Sequence, residues 1–362
     1  LIYLSKRKLF LMIEYLLYGA NGYTARLVIE ESLRQGMKPV LAGRNRQKTE
    51  ALAQQYGLKC LVFGLDDPSE LDKALKGFRV LLNCAGPFIH TAKPLVEACI
   101  RNGVHYLDIT GEIPVFELVK SYDQSAKTGG VALMSGVGFD VVPTDCAAKY
   151  LHTKLPSATR LKLAFASVGG SISHGTMLTM VENLGGSGAV RQNGKIIPKP
   201  VGHKGILVDF GLKTRFCMTI PWGDISTAYT TTGIPNIETY TAVSRGSFRM
   251  MKLAPLFNPI LRTEWVKNRF RSYISKNIVG PTAEQNEKGR SLVWGEAADD
   301  QGNRVEVKLE GPEGYKLTAV ASVYITRHFL ENEVPSGYHT PAGLLGYEPF
   351  TRLPGTVLTP AN

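Results

Sequence analysis

Up to about Met134, short apolar runs alternate with longer stretches whose apolar residues recur at helical spacing. Tyr15–Tyr18, Pro39–Gly43, Leu58–Phe63, Arg79–Pro87, His105–Glu112 and Val131–Met134 are the apolar runs. Arg26–Gln35, Gln47–Tyr56, Pro68–Lys76, Pro94–Asn102 and Phe116–Lys127 carry the helical pattern between them. A strand-then-helix rhythm of this kind predicts a parallel, doubly wound sheet. Past about Pro156 the texture changes. Leu161–Val168, Gly205–Phe210, Thr214–Ile220, Ala228–Ile234 and Glu238–Val243 read as strands, several of them alternating, with a helix at Thr176–Leu184. Ser291–Ala298 and Val305–Glu310 read as a hairpin, and Lys316–Leu330 as a helix leading into a Gly-rich tail at Gly337–Gly346. This predicts a second, α+β unit on a mostly antiparallel sheet.

The glycine pattern changes the picture from a fold class to a binding site. Tyr15–Tyr18 runs into Gly19, Gly22 follows, and Ala25 comes three residues later, just before the first helical stretch. Gly19 permits a tight turn, Gly22 lets backbone N–H groups approach a phosphate, and Ala25 lets helix and strand pack closely. Asn21, Tyr23 and Thr24 share this turn as candidate cofactor contacts. Where an acidic residue would hold a ribose hydroxyl, the chain has Arg44 and Asn45. A guanidinium there suits a 2′-phosphate, so NADP(H) is expected rather than NAD(H). Asp66 follows the third strand, at the adenine side, and Cys84, Ala85, Gly86, Pro87 and Phe88 follow the fourth, at the nicotinamide side.

Composition narrows the alternatives. The 362 residues exceed one ordinary domain, and 44% hydrophobic with 20% charged residues describes a globular chain. The boundaries expected are 12–146 for the nucleotide-binding domain, 147–312 for the substrate or oligomerisation domain, and 313–362 for a C-terminal helix and tail packing back on the first domain. Five scattered cysteines without C-x-x-C spacing argue for a reducing compartment, and the seven histidines form no metal-binding motif, so no metal is expected. The basic N-terminus superficially resembles a signal peptide, but Glu14 interrupts its apolar stretch; Leu1–Leu11 reads as a leader and Met12 as a start. The expected location is the cytoplasm, with a membrane-peripheral alternative. That alternative comes from Phe248–Lys276, where seven basic residues face the single acid Glu264 and contribute +6 of the chain's +11. Interleaved Met, Leu, Phe, Ile and Trp make it a surface for an anionic membrane, an acidic carrier protein or a homodimer contact. No motif accompanies it that would read nucleic acid.

Tyr18–Ala25, Leu41–Arg44, Asn83–Pro87, Tyr106–Glu112, Gly138–Asp145 and Gly337–Pro341 together resemble the saccharopine dehydrogenase-like oxidoreductases, including their trans-acting enoyl reductase branch. The resemblance implies a Rossmann-type α/β sheet with an inserted α+β substrate domain, NADP(H) as cofactor, and hydride transfer to an enoyl or imine substrate, lipid-like or carrier-bound. No arginine cluster is placed to hold the carboxylates of saccharopine. Hydride transfer needs a proton donor to finish it, and Tyr106, Asp140, Asp145 and His174 are the candidates. Two other readings stay open. Tyr150 and Lys154, four apart on one helix, with Ser135 upstream, match the carbonyl-reducing arrangement of short-chain dehydrogenases. A catalytically inactive NADP-binding protein attached to membranes or partners is the other.

Overall fold

The computed structural model describes residues 14–277 and 280–361, so the leader and the Met12 start lie outside the described residues. The first layer runs β1 (Glu14–Tyr18), α1 (Tyr23–Arg34), β2 (Lys38–Gly43), α2 (Arg46–Tyr56), β3 (Cys60–Val62), α3 (Pro68–Leu75), β4 (Val80–Asn83), α4 (Phe88–Asn102), β5 (His105–Asp108), α5 (Ile113–Ser121), α6 (Asp123–Thr128) and β6 (Ala132–Met134). Its strands are parallel in the order β6-β5-β4-β1-β2-β3. The winding reverses between β1 and β4, which opens a crevice at their carboxyl ends. Alternation along β1 explains its apolar run: Tyr15 and Leu17 face one core, Leu16 and Tyr18 the other.

The second layer follows as α7 (Val142–Lys154), β7 (Arg160–Val168), α8 (His174–Glu182), β8 (Gly188–Gln192), β9 (Lys195–Lys199), β10 (Gly205–Asp209), β11 (Thr214–Thr219), α9 (Asp224–Thr232), β12 (Asn236–Ala242), α10 (Arg245–Leu261), α11 (Glu264–Asn277), α12 (Ala283–Lys288), β13 (Arg290–Ala298) and β14 (Arg304–Pro312). The chain ends with α13 (Gly314–Glu331), β15 (Gly337–His339), α14 (Pro341–Leu345), α15 (Glu348–Thr351) and β16 (Val357–Ala361). The main path of the second sheet is β10-β11-β12-β7-β13-β14-β16, with only the β12–β7 pair parallel along it.

The structure differs from the sequence pattern at four places. Ala228–Ile234 is not a strand: most of it is the end of α9, which stops at Gly233 in the left-handed conformation. Thr227, Thr230 and Thr232 return their hydroxyls to the carbonyl four residues back, Thr232 to Ala228 O at 2.6 Å, and Thr231 donates to Asp145, so burial overrides their strand preference. The β8–β9 hairpin is absent from the sequence reading. Its signal is Asn193-Gly194, both at positive φ, the pair that a tight hairpin turn selects. The helix α7, which begins at Val142, contacts β7, β13 and β14 of the second sheet and spans the expected boundary at 146–147. Finally the tail divides: α13 packs along α1 and β15 joins β6 in the first sheet, but β16 pairs with β14 in the second.

Candidate functional site: the crevice at the carboxyl ends of β1, β4, β5 and β6

The turn after β1 is built by backbone bonds. Gly19 and Ala20 both donate to Ala42 O, at 2.9 and 3.1 Å, and Gly22 N donates to Gly19 O at 3.0 Å. Gly19 sits at φ +81°, and a Cβ on it would lie 2.6 Å from Ala85 N, so this turn is pressed against the β4 loop. Gly22 is different. Its backbone is extended, and a Cβ there would come no nearer than 3.4 Å to any neighbour, so packing does not require glycine. What its bareness leaves open is the N-terminus of α1, where no side chain caps the first N–H groups and Thr24 makes no side-chain hydrogen bond among the described residues. This is the form of a phosphate cradle.

The ribose side lies at β2. Asn21 Nδ2 donates to Thr49 Oγ1 at 3.0 Å, and these two atoms crowd the space above Gly43. Asn45 caps α2, accepting from Lys48 N at 2.9 Å, so its side chain is engaged before any cofactor arrives. Arg46 pairs with Glu50 at 2.8 Å, whereas Arg44 is exposed and makes no ion pair among the described residues. Tyr18 stacks at 5.1 Å on Phe63, and burial pushes its phenol up to about 12. Asp66 is exposed beyond that pair. The residues therefore fit a dinucleotide phosphate: an open helix terminus, a bare Gly22 and a free guanidinium. Tyr23 belongs elsewhere. Its hydroxyl donates to Pro281 O at 3.1 Å and accepts from Asn286 Nδ2 at 2.6 Å, and its ring meets Tyr315 edge-on at 5.2 Å. It bolts the start of α1 to the second unit. Tyr23→Phe is expected to lower stability by about 1–2 kcal/mol in a denaturant titration, because Asn286 loses its partner.

The nicotinamide side is organised by buried polar bonds. Asn83 Oδ1 accepts from Ala85 N at 2.9 Å, and its Nδ2 donates to Thr91 Oγ1 and to the Tyr106 hydroxyl at 3.1 and 3.2 Å. These contacts hold the loop Cys84–Pro87. Cys84 is buried, and desolvation raises its thiol; Phe88 packs its ring beneath Gly86. Ala85, Gly86 and Pro87 are the members of this group open to the crevice. Glu112 Oε1 accepts from Phe88 N at 2.8 Å, so a carboxylate from the loop between β5 and α5 caps α4. This explains why α4 begins at Phe88 and not at Pro94, where the local pattern had placed it. Asp108 is fully buried, accepting from Ser135 Oγ at 2.8 Å and from Gly136 N at 3.0 Å, and it ties β5 to β6.

The four candidate proton donors separate clearly. Tyr106 is fully buried, its phenol raised by desolvation and by the nearby Asp108. It supports Asn83 and cannot reach a substrate. Asp145 is fully buried within α7, accepting from Thr231 Oγ1 at 2.5 Å and from Ala342 N at 2.8 Å; desolvation raises it to about 6. It joins α7 to α9 and α14, a structural role. His174 is half-buried at the first position of α8, with no side-chain hydrogen bond among the described residues. Asp140 is the one lodged in the crevice. Its carboxylate lies against Gly111, where a Cβ would be 2.7 Å from Oδ2. Desolvation pushes it up to about 7, helped by the Glu112 charge. Trp222 Nε1 donates to Asp140 O at 2.7 Å, and the half-buried rings of Phe139, Phe165 and Trp222 continue from it as an aromatic wall. Glu112, the last residue of the Tyr106–Glu112 motif, and Trp222, which lies in no motif, were not among the proton-donor candidates; only the packing brings them to Asp140.

The short-chain dehydrogenase arrangement does not assemble. Ser135 is spent on Asp108, and Tyr150 is buried edge-on against Tyr347 at 5.2 Å. Tyr150 also sits eight residues into α7, roughly 12 Å along it from Val142. A surface cavity of about 440 Å³, lined by Arg34, Tyr324 and Arg352 among others, lies at the far end of α1 and not at the glycine turn.

Comparison with known proteins finds a matching family for the first sheet. Residues 15–134 match the family described as the saccharopine dehydrogenase NADP binding domain. A human saccharopine dehydrogenase-like oxidoreductase is 28% identical over 200 residues, covering 48% of this chain and 47% of that protein. A Mycobacterium tuberculosis protein, provisionally named a trans-acting enoyl reductase, is 31% identical over 185 residues, covering 47% of this chain and 44% of its own. The matched region thus spans about half the length of these relatives. The solved structure of saccharopine dehydrogenase (L-Glu forming) from Saccharomyces cerevisiae superposes on 96% of this chain and 100% of its own, with a TM-score of 0.62 at 12% identity, a likeness of fold.

Proposed function

We propose, on the premise that this chain belongs to the saccharopine dehydrogenase-like oxidoreductases through the NADP-binding domain at residues 15–134, that it is an NADPH-dependent reductase of an apolar enoyl or imine substrate. Asp140 is the proton donor in this reading. The observation that carries it is the Asp140 carboxyl itself, half-buried in the crevice, poised at about 7 and flanked by Glu112 and the aromatic wall. An acid with that poise is protonated and yet able to release its proton near neutrality.

Gly19, Gly22 and the N-terminus of α1 would hold the pyrophosphate, Arg44 the 2′-phosphate, and Ala85–Pro87 the nicotinamide half. Bound NADPH supplies the hydride. Asp140 gives the proton to the atom at the other end of the reduced double bond, and Glu112 sustains its affinity for that proton. Phe139, Phe165 and Trp222 exclude water and favour an apolar acyl or alkyl group over the charged arms of saccharopine. A panel of enoyl thioesters and imines incubated with NADPH deuterated at the transferable position tests this. Deuterium is expected in the reduced product of at least one class; no labelled product across the panel would sink the reductase reading and favour a non-catalytic NADP-binding protein.

The preference for NADPH rests on Arg44. Arg44→Asp is expected to weaken NADPH binding by about 10–100-fold, the worth of a charge-assisted contact, while NADH binding changes little. Fluorescence titration with both cofactors reads the ratio directly.

A further inference from the structure

We propose that α10 and α11 form a docking surface for an anionic phospholipid surface. The inference is independent of the hydride chemistry. Met250, Leu253, Leu256, Phe257 and Ile260 on α10 are each more than half exposed, as are Trp265 and Tyr273 on α11, with Phe270 at 45%. The five on α10 recur at helical spacing, so they form a coherent stripe and not scattered surface residues. The hairpin is nonetheless firmly seated. Phe248 meets Phe216 at 5.0 Å, Arg262 Nε donates to Gly185 O at 2.7 Å, Lys267 Nζ donates to Glu182 O at 3.0 Å, and Arg271 pairs with Glu182 at 2.8 Å. Leu207, 63% exposed, stands opposite Phe216 in the β10–β11 register and extends the apolar surface from the start of α10.

Charge decides the occupant. Those seating contacts engage Arg262, Lys267 and Arg271, leaving Arg249, Arg269 and Lys276 without an ion pair among the described residues. Among the described residues Lys252 has only the Phe248 ring, 4.8 Å from its ammonium. Glu264, the one acid of the stretch, is held by Arg271 at 2.9 Å. Exposed apolar side chains interleaved along the same two helices with cations that have no ion pair among the described residues match an interface with apolar chains beneath and phosphates above. A second copy of the chain would set these cations against each other across a two-fold contact. No helix among the described residues is long and apolar enough to cross a membrane, so the attachment is peripheral.

Flotation of the full-length protein with phosphatidylcholine–phosphatidylserine vesicles, compared with phosphatidylcholine alone, tests the proposal. Binding is expected to the acidic vesicles and to weaken steeply with added salt. Leu256→Asp combined with Phe257→Asp is expected to lower the partition coefficient by at least about 100-fold. Arg249→Glu combined with Arg269→Glu should lower it by roughly 10-fold or more on acidic vesicles only. All four positions are exposed, so melting temperature and NADPH binding should stay as in the parent chain. Trp265, 77% exposed, gives a second readout: its emission should shift blue on acidic vesicles, and brominated lipid should quench it. No flotation, or flotation that the Leu256/Phe257 pair leaves unchanged, overturns the proposal. A dimer in sedimentation that the same pair dissolves, without flotation, overturns it in favour of a second copy.

Discussion

Gly19→Ala is expected to destabilise the fold by about 2–5 kcal/mol and to lower NADPH affinity by more than about 100-fold. The methyl group meets two obstacles. At φ +81° any L side chain is strained, and the added Cβ would stand 2.6–2.7 Å from the N, Cα and Cβ of Ala85, most of it backbone that cannot rotate aside. Relief requires the β1 turn and the β4 loop to part, and those two segments are the floor of the crevice. Gly22→Ala is the paired control. Its extended backbone and nearest contact of 3.4 Å predict a melting temperature within experimental range of the parent. Its methyl group instead occupies the approach to the α1 N-terminus, so NADPH affinity should still fall by roughly 10-fold or more while the fold is kept. Thermal melts with NADPH titrations on the two variants separate a glycine needed by the protein from one needed by the ligand. Equal loss of stability in both would remove the distinction.

The same contrast shows what a single sequence carries. The parallel sheet was legible because its strands are buried on both faces, and Leu16–Tyr18 or Val80–Leu82 announce that by composition alone. The turn at Gly19–Gly22 and the guanidinium at Arg44 were legible because the chemistry is local, set by residues adjacent in the chain. Elements fixed at a distance were not. The start of α4 depends on a carboxylate from Glu112, twenty-four residues away, and α9 forms from a threonine-rich run because its hydroxyls find carbonyls inside a buried helix. Among the four candidate donors, the sequence could not choose for the same reason. Tyr106, Asp140 and Asp145 look alike as polar residues at strand and helix ends. Only burial separates a phenol supporting Asn83 and a carboxylate bonded to Thr231 from the acid left in the crevice.

That acid carries the second large effect. Asp140→Asn is expected to lower the rate of reduction by about 100–10,000-fold while leaving NADPH affinity near that of the parent, because it removes the donor and not the cradle. The pH dependence fixes its role. The acid form donates, so turnover should be highest below about pH 7 and fall above it as Asp140 ionises. In Asp140→Asn the residual rate should lose this limb. Glu112→Gln tests the cause of the poise. The amide oxygen can still accept from Phe88 N, so α4 keeps its cap, but the neighbouring charge is gone and the limb should move to lower pH. Stability should respond with the opposite benefit. A carboxyl whose folded pKa is raised binds its proton more tightly folded than unfolded, so its ionisation destabilises the fold as pH rises from about 4, the unfolded value, through about 7. Asp140→Asn removes that penalty and should melt at a higher temperature than the parent at pH 8, with the difference vanishing at pH 4. A slower yet more heat-stable variant is what a strained catalytic acid predicts. The control for a supporting residue is Asp145→Ala, which removes the bonds to both Thr231 and Ala342 and is expected to lower the melting temperature at pH 4 as well as at pH 8. Melting curves at the two pH values, set beside the rate profiles for a substrate found in the panel, therefore distinguish a proton donor from a structural carboxylate.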